Sequence, residues 1–99
     1  MSDFKEHMAA DRRLVILRLL HDYNGSANES VIRTALEKGF GHRTSRDELR
    51  NDLRMLVDNG CIVSDYVGEI QVVQITRRGV DVSKGLITVA GILQPSIGV

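Results

Sequence analysis

TSRDELRNDLRMLVDNG, residues 44–60, reads as one helix with a marked start, an apolar seam, an arginine edge and a marked stop. Ser45 and Glu48 stand in the S-x-x-E spacing of a capping box. A serine hydroxyl takes an orphan backbone N–H there, and a glutamate three residues on reaches back to the cap. Asp47 and Glu48 put negative charge in the first turn, where the helix dipole favours it. Leu49, Leu53, Leu56 and Val57 fall at i, i+4, i+7 and i+8, one face of a helix. Asn59-Gly60 is a left-handed stop signal. Arg46, Arg50 and Arg54 form a ladder that starts beside the leucines and drifts outward. Arg50, Arg54, Asn51 and Asp47 are therefore expected to face solvent. Such a charged edge is either a recognition surface or a solvated face, with Asp47/Arg50 and Arg54/Asp58 able to pair weakly along it.

After Gly60 the pattern changes period. Cys61-Ile62-Val63, Tyr66-Val67, Ile70, Val72-Val73 and Ile75 predict a hairpin, 61–66 against 70–76, with its tip at Val67-Gly68-Glu69. That tip carries no base. Wings that grip the minor groove bring Arg or Lys there, so this one is a poor clamp. Thr76 caps a short helix over 77–84, with Val80 and Val82 as its apolar contacts. Arg77 and Arg78 lie just past the second strand, placed either to reach phosphates or to stand exposed.

Upstream, Asn28 caps a second helix that runs from Glu29 to Lys38, with Val31, Ile32, Ala35 and Leu36 on one face. Gly39-Phe40-Gly41-His42-Arg43 then allows a sharp turn, with Phe40 plugging the junction of the two helices. A helix, a short glycine-containing turn and a second capped helix make a helix-turn-helix signature; the hairpin adds a wing. The first helix, Ala10 to Tyr23, carries Leu14, Val15, Ile16, Leu17, Leu19, Leu20 and Tyr23 over well more than half its circumference. It is either central in the fold or buries a second face against a partner chain. The C-terminal LITVAGILQPSIGV has no charge. Left free, Leu86, Ile87, Val89, Ile92, Leu93, Ile97 and Val99 would make it aggregation-prone. It is expected to dock on its own core or on another subunit, and with the first helix it predicts a homodimer.

The fold class expected is α+β: a winged helix-turn-helix with a three-helix core, a two-stranded wing, a short C-terminal helix and an apolar tail. Residues 1–10 form a tail or extra helical turn, 11–85 the domain and 86–99 the tail. At 99 residues the chain supports one modest core. Phe and Tyr number two each and Trp is absent, so that core must be Leu, Ile and Val. No apolar run is long enough to span a membrane, and residues 1–13 lack the basic-then-apolar order of a signal peptide. A cytoplasmic location follows as the default. The single Cys61 cannot form an internal disulfide and reads as a small buried residue.

Net charge is formally zero, with 13 basic and 13 acidic residues. Any attraction to phosphate must therefore be local, because phosphate neutralisation supplies much of a DNA-binding module's affinity. Ten of the basic residues are arginines, the side chain suited to bidentate phosphate and guanine contacts. No catalytic motif is present: no G-x-x-x-x-G-K-[ST], G-x-S-x-G or H-E-x-x-H run occurs. His7, His21 and His42 share no ligand spacing with one another or with Cys61, so no metal or cofactor is expected. His42, in the turn, is placed to touch a phosphate or simply to be exposed.

DRRLVILRLL, SANES, GHRTSRDELRNDLRMLVDNG and ITRRGVDVSKG together resemble a family of small winged-helix proteins carried by Mu-like phages and prophages, some of them labelled ArsR-like. The likeness runs from Asp11 through most of the chain. Its most specific parts are SANES, GHR-x-SRD and the T-x-x-G-x-D-V-x-x-G run. The resemblance implies the winged-helix fold. It implies no metal sensor, since the recognition helix lacks the cysteine pair of metal-sensing ArsR proteins. The tail departs from the family, with Ile92-Leu93-Gln94 before Pro95 where relatives often have basic and proline residues.

Two function classes stay open. In the first, a homodimeric phage or prophage protein binds double-stranded DNA in transcriptional control. Arg46, Asp47, Arg50, Asn51 and Arg54 would face the major groove, and Arg43, Ser45, Arg77 and Arg78 would contact phosphates. In the second, the scaffold binds a host or phage protein, as the zero net charge, uncharged wing tip and surplus apolar surface suggest.

Overall fold

Gly60, at φ 73, turns the chain from the arginine-bearing helix into the wing hairpin. The computed structural model describes residues 2–95. Its elements are α1 (Ser2–Asp22), β1 (Ser26–Asn28), α2 (Glu29–Phe40), α3 (Arg46–Asp58), β2 (Ile62–Val67), β3 (Ile70–Ile75) and α4 (Arg77–Ser83). None of these helices is long and apolar enough to cross a membrane. The caps read from the sequence act as expected. The Asn28 side chain accepts from the Val31 amide, and the Thr76 hydroxyl accepts from that of Gly79. At α3 the Ser45 hydroxyl accepts from the Glu48 amide while Glu48 Oε1 accepts from the Ser45 amide, a complete capping box.

α1 is the central helix. It begins at Ser2, about two turns ahead of its apolar pattern, and no Pro or Gly interrupts residues 2–10. It packs against α2, α3, α4, β1 and β3. That explains its excess of apolar residues: Leu14, Val15, Ile16, Leu17, Leu19 and Leu20 are all buried within one chain. The wing strands β2 and β3 pair antiparallel, Ile62 opposite Ile75 and Val67 opposite Ile70, around the expected tip.

The sheet has a third strand that the sequence reading lacks. β1 adds to β3 in the order β1-β3-β2, with Ala27 opposite Val73. Three residues are too few for any period to show. The strand exists because Asn24 and Gly25, at φ 62 and 94, turn the chain out of α1, and the Gly25 carbonyl then accepts from the Ile75 amide.

The described part of the tail docks on its own chain. Val89, Ile92 and Pro95 are buried, the Leu93 amide donates to the Ala10 carbonyl, and Arg13 Nη1 donates to the Gly91 carbonyl at 3.1 Å. Ile97 and Val99 lie outside the described residues. Two other expectations change. Phe40 does not plug the helix junction but is 51% exposed. Leu36, one turn earlier, is the residue of this stretch buried in the core, and Gly41 at φ 70 reverses the chain just past Phe40. His42 is buried rather than exposed, with Nε2 2.7 Å from Asp11 Oδ2.

Candidate nucleic-acid interface

The turn into α3 is held by local bonds. The His42 amide donates to the Leu36 carbonyl, and the buried Thr44 hydroxyl donates to the His42 carbonyl at 3.1 Å. With the imidazole on Asp11, this fixes where α3 starts. Leu49, Asp52, Leu53 and Leu56 face inward, so the opposite side of the helix meets solvent. Asp47, Arg50, Asn51 and Arg54 are all exposed there, as expected. Arg43 and Ser45 are exposed at the entry to the helix, beside Arg46.

The ladder forms one edge, the one nearest the wing. Arg50 and Arg54, with Val57, line a cleft whose far wall is Ser64, Tyr66 and Gln71 on the wing strands. In the β2 register Ser64 and Tyr66 share the side of the buried Ile62, and Gln71 stands opposite Tyr66. Gln71 donates to the Ser64 hydroxyl at 2.9 Å. The wing therefore meets the arginines with a polar and aromatic inner face, although its tip is uncharged. Asn51 lies on the other flank of α3, lining a separate cleft with Phe4, Arg12 and Glu48.

Arg77 and Arg78 do not join this cluster. They open α4 at the far end of α3, which at about 1.5 Å per residue is roughly 20 Å long. Arg78 Nε donates to the Asn59 carbonyl at 2.8 Å and its side chain lies against Gly60, so it closes the α3 terminus. Arg77 is exposed.

Charge pairing also differs from expectation. Arg50 turns to Glu29, 3.6 Å away, rather than to Asp47. Arg46 pairs with the same carboxylate at 3.2 Å, and Arg43 lies 3.8 Å from Glu37 with both side chains well exposed. Arg54 has no ion pair among the described residues, with Asp58 or otherwise.

Sequence reasoning missed Glu29, Ser64, Tyr66 and Gln71. Strand parity carries a signal for the last three, since Ser64, Tyr66 and Ile62 alternate onto one face. No local signal marks Glu29 as a partner for arginines so far along the chain.

Glu48 gives a pH prediction. The Ser45 backbone amide holds its carboxyl below the ordinary glutamate range, helped by the Ser45 hydroxyl and by the positive charge of Arg12 and Lys5, and partly opposed by desolvation. A folded pKa below the unfolded one contributes stability that is present above the unfolded value and is lost as pH falls through the folded one. Stability is expected to decline on acidification through the glutamate range, and Glu48→Gln to remove part of that decline. Urea midpoints across pH check this; identical profiles would refute it. The Cys61 thiol is raised by burial, in keeping with a small core residue.

No protein-family model matches this chain. It is 40% identical over 88 residues to the uncharacterized protein gp26 of Escherichia phage Mu, covering 89% of this chain and 91% of that protein. It is 38% identical over 76 residues to an uncharacterized protein of Haemophilus influenzae, covering 76% of this chain and 74% of that protein. Among solved structures it is similar to F93 from STIV, a winged-helix DNA-binding protein, with a TM-score of 0.65 at 19% identity over 74% of this chain and 79% of that one. This likeness establishes the winged-helix fold.

Proposed function

This chain belongs to the family of the phage Mu protein gp26, and we propose that it binds double-stranded DNA as a non-enzymatic phage or prophage regulator of transcription. The observation that carries this reading is the arginine edge. Arg46, Arg50 and Arg54 lie exposed along one side of a capped helix, with Arg43 and Ser45 at its start. The similarity to F93, titled a DNA-binding protein, supports it. Arg46, Asp47, Arg50, Asn51 and Arg54 enter the major groove, where arginine reads guanine bidentately. Arg43, Ser45 and, more distantly, Arg77 and Arg78 contact phosphates. Tyr66 and Gln71 join the interface from the inner wall of the wing.

The protein acts in the cytoplasm as a homodimer, so that two recognition helices can read a two-fold operator. Light scattering on the purified protein checks the mass. Leu14, Val15, Ile16, Leu17, Leu19 and Leu20 of α1 are taken up by the chain's own core, while Phe4 is 72% exposed, so an apolar dimer contact on this helix lies at its start.

Fluorescence anisotropy with a mixed-sequence duplex is expected to show binding that weakens steeply as salt rises. The double variant Arg50→Ala/Arg54→Ala is expected to weaken binding at least about tenfold, because each arginine contact contributes on the order of 1 kcal/mol or more. Unchanged affinity in that variant would overturn the assignment.

A second reading, a module for a host or phage protein, is favoured by the outer face of the wing. Val63, Val67 and Ile70 are exposed there and share one side of the register. No duplex binding at low salt, together with a partner retained after nuclease treatment, selects that reading.

A further inference from the structure

Glu29 is the first residue of α2, yet its carboxylate is folded inward and the residue is only 8% exposed. Oε1 accepts from Arg46 Nη2 at 3.2 Å. Oε2 lies 3.6 Å from Arg50 Nε and is buried without a hydrogen bond. One carboxylate thus faces two successive rungs of the ladder. An oxygen buried this way is costly; the α2 dipole and the two guanidinium groups offset the cost. α2 and α3 are already joined by the core residues Leu36, Leu49 and Leu53 and by the bonded turn between them. Glu29 is not needed to dock the helices, and its charge bears directly on the arginines.

We propose that Glu29 is a positioning residue for the DNA-facing arginines, an internal stand-in for phosphate that holds Arg46 and Arg50 in the free protein. This inference rests on the DNA-binding reading. A passing phosphate must displace a carboxylate to engage either arginine. A site that offers acceptors to both at once replaces both contacts together. Glu29 thereby lowers affinity for arbitrary duplex and widens the gap between specific and non-specific binding, which is the quantity that matters against a genome of competing sites.

The test uses the full chain and its Glu29→Gln variant, which keeps the shape and removes the charge. Both are titrated with a mixed-sequence duplex between about 50 and 200 mM salt. Glu29→Gln is expected to bind about three- to tenfold tighter at the lower salt, with a slope of log K against log salt steeper by about 1, the increment for one further phosphate neutralised. A purely structural role would shift the melting temperature and leave that slope alone. NMR of the arginine guanidinium N–H groups reads the clamp in wild-type protein without DNA: Arg46 at Nη and Arg50 at Nε are expected to exchange with water more slowly than the same groups of Arg54. This holds even if the variant fails to fold. Equal exchange at all three arginines overturns the proposal. So does a wild type that binds duplex while Glu29→Gln matches it in affinity and slope. A wild type that binds no duplex overturns the DNA-binding reading, and this role with it.

Discussion

Asp52→Ala is expected to destabilise the fold by about 3–5 kcal/mol, the usual cost of removing one partner from a buried ion pair. Asp52 sits on the inward face of α3 with 0% exposure. Arg12 Nε donates to its Oδ2, Arg12 Nη2 donates to Oδ1 at 3.1 Å and Arg13 Nε donates to Oδ1 at 2.9 Å. Arg13 also donates to the Gly91 carbonyl. One carboxylate therefore ties α3 to α1, and through Arg13 to the tail. Without it, two guanidinium groups whose side chains are 11% and 16% exposed lose their counter-charge. Asp52→Asn keeps the volume and some hydrogen bonds, so it should cost less in the same direction. Arg13→Ala should cost less still, because Arg12 continues to hold the carboxylate by two bonds. Urea unfolding orders the three variants. A loss under about 1 kcal/mol in Asp52→Ala would mean that the arginines swing out to water and that α3 is held by its leucines alone.

Gly79→Ala is expected to cost about 3 kcal/mol, the upper end for forcing extra volume into a packed site. Gly79 is buried in the first turns of α4. A methyl on its Cα would overlap the Cys61 carbonyl oxygen and lie 2.7 Å from Ile75 Cγ1. The obstruction is largely backbone, which cannot rotate away. The Cys61 carbonyl is itself committed, since it accepts from the Thr76 amide. The substitution would have to lift α4 from the base of the wing, where Val82 enters the core. In an ordinary helix the same change is favourable by about 1 kcal/mol, so the sign is diagnostic. For a domain of this size each kcal/mol corresponds to about 4–8 °C in melting temperature, and a calorimetric scan resolves the loss. A Gly79→Ala protein as stable as wild type would show that α4 does not approach the wing so closely.

The residues that define α3 were legible because their signals are local. A capping box, a dipole-matched first turn, an apolar seam at helical spacing and an Asn-Gly stop all act within a few residues of one another. The hairpin was legible for the same reason, its β-branched runs being separated by a glycine turn. So was the exposure of Arg50, Arg54, Asn51 and Asp47, which follows from the angle each makes with the leucines.

By itself, then, the sequence determined the order of the main elements, their caps and which face of α3 carries the arginines. Only the tertiary structure decided what those arginines and their neighbours touch. Glu29 reaches Arg46 and Arg50, Asp52 draws in Arg12 and Arg13, and β1 adds to β3. His42 is buried on Asp11, and Arg77 and Arg78 are set apart from the ladder at the far end of α3. Each partnership joins residues far apart in the chain. Backbone hydrogen bonding and helical period act over about one turn and carry no information about such pairs. They form where topology brings the chain back on itself and where a charge taken from water needs a partner.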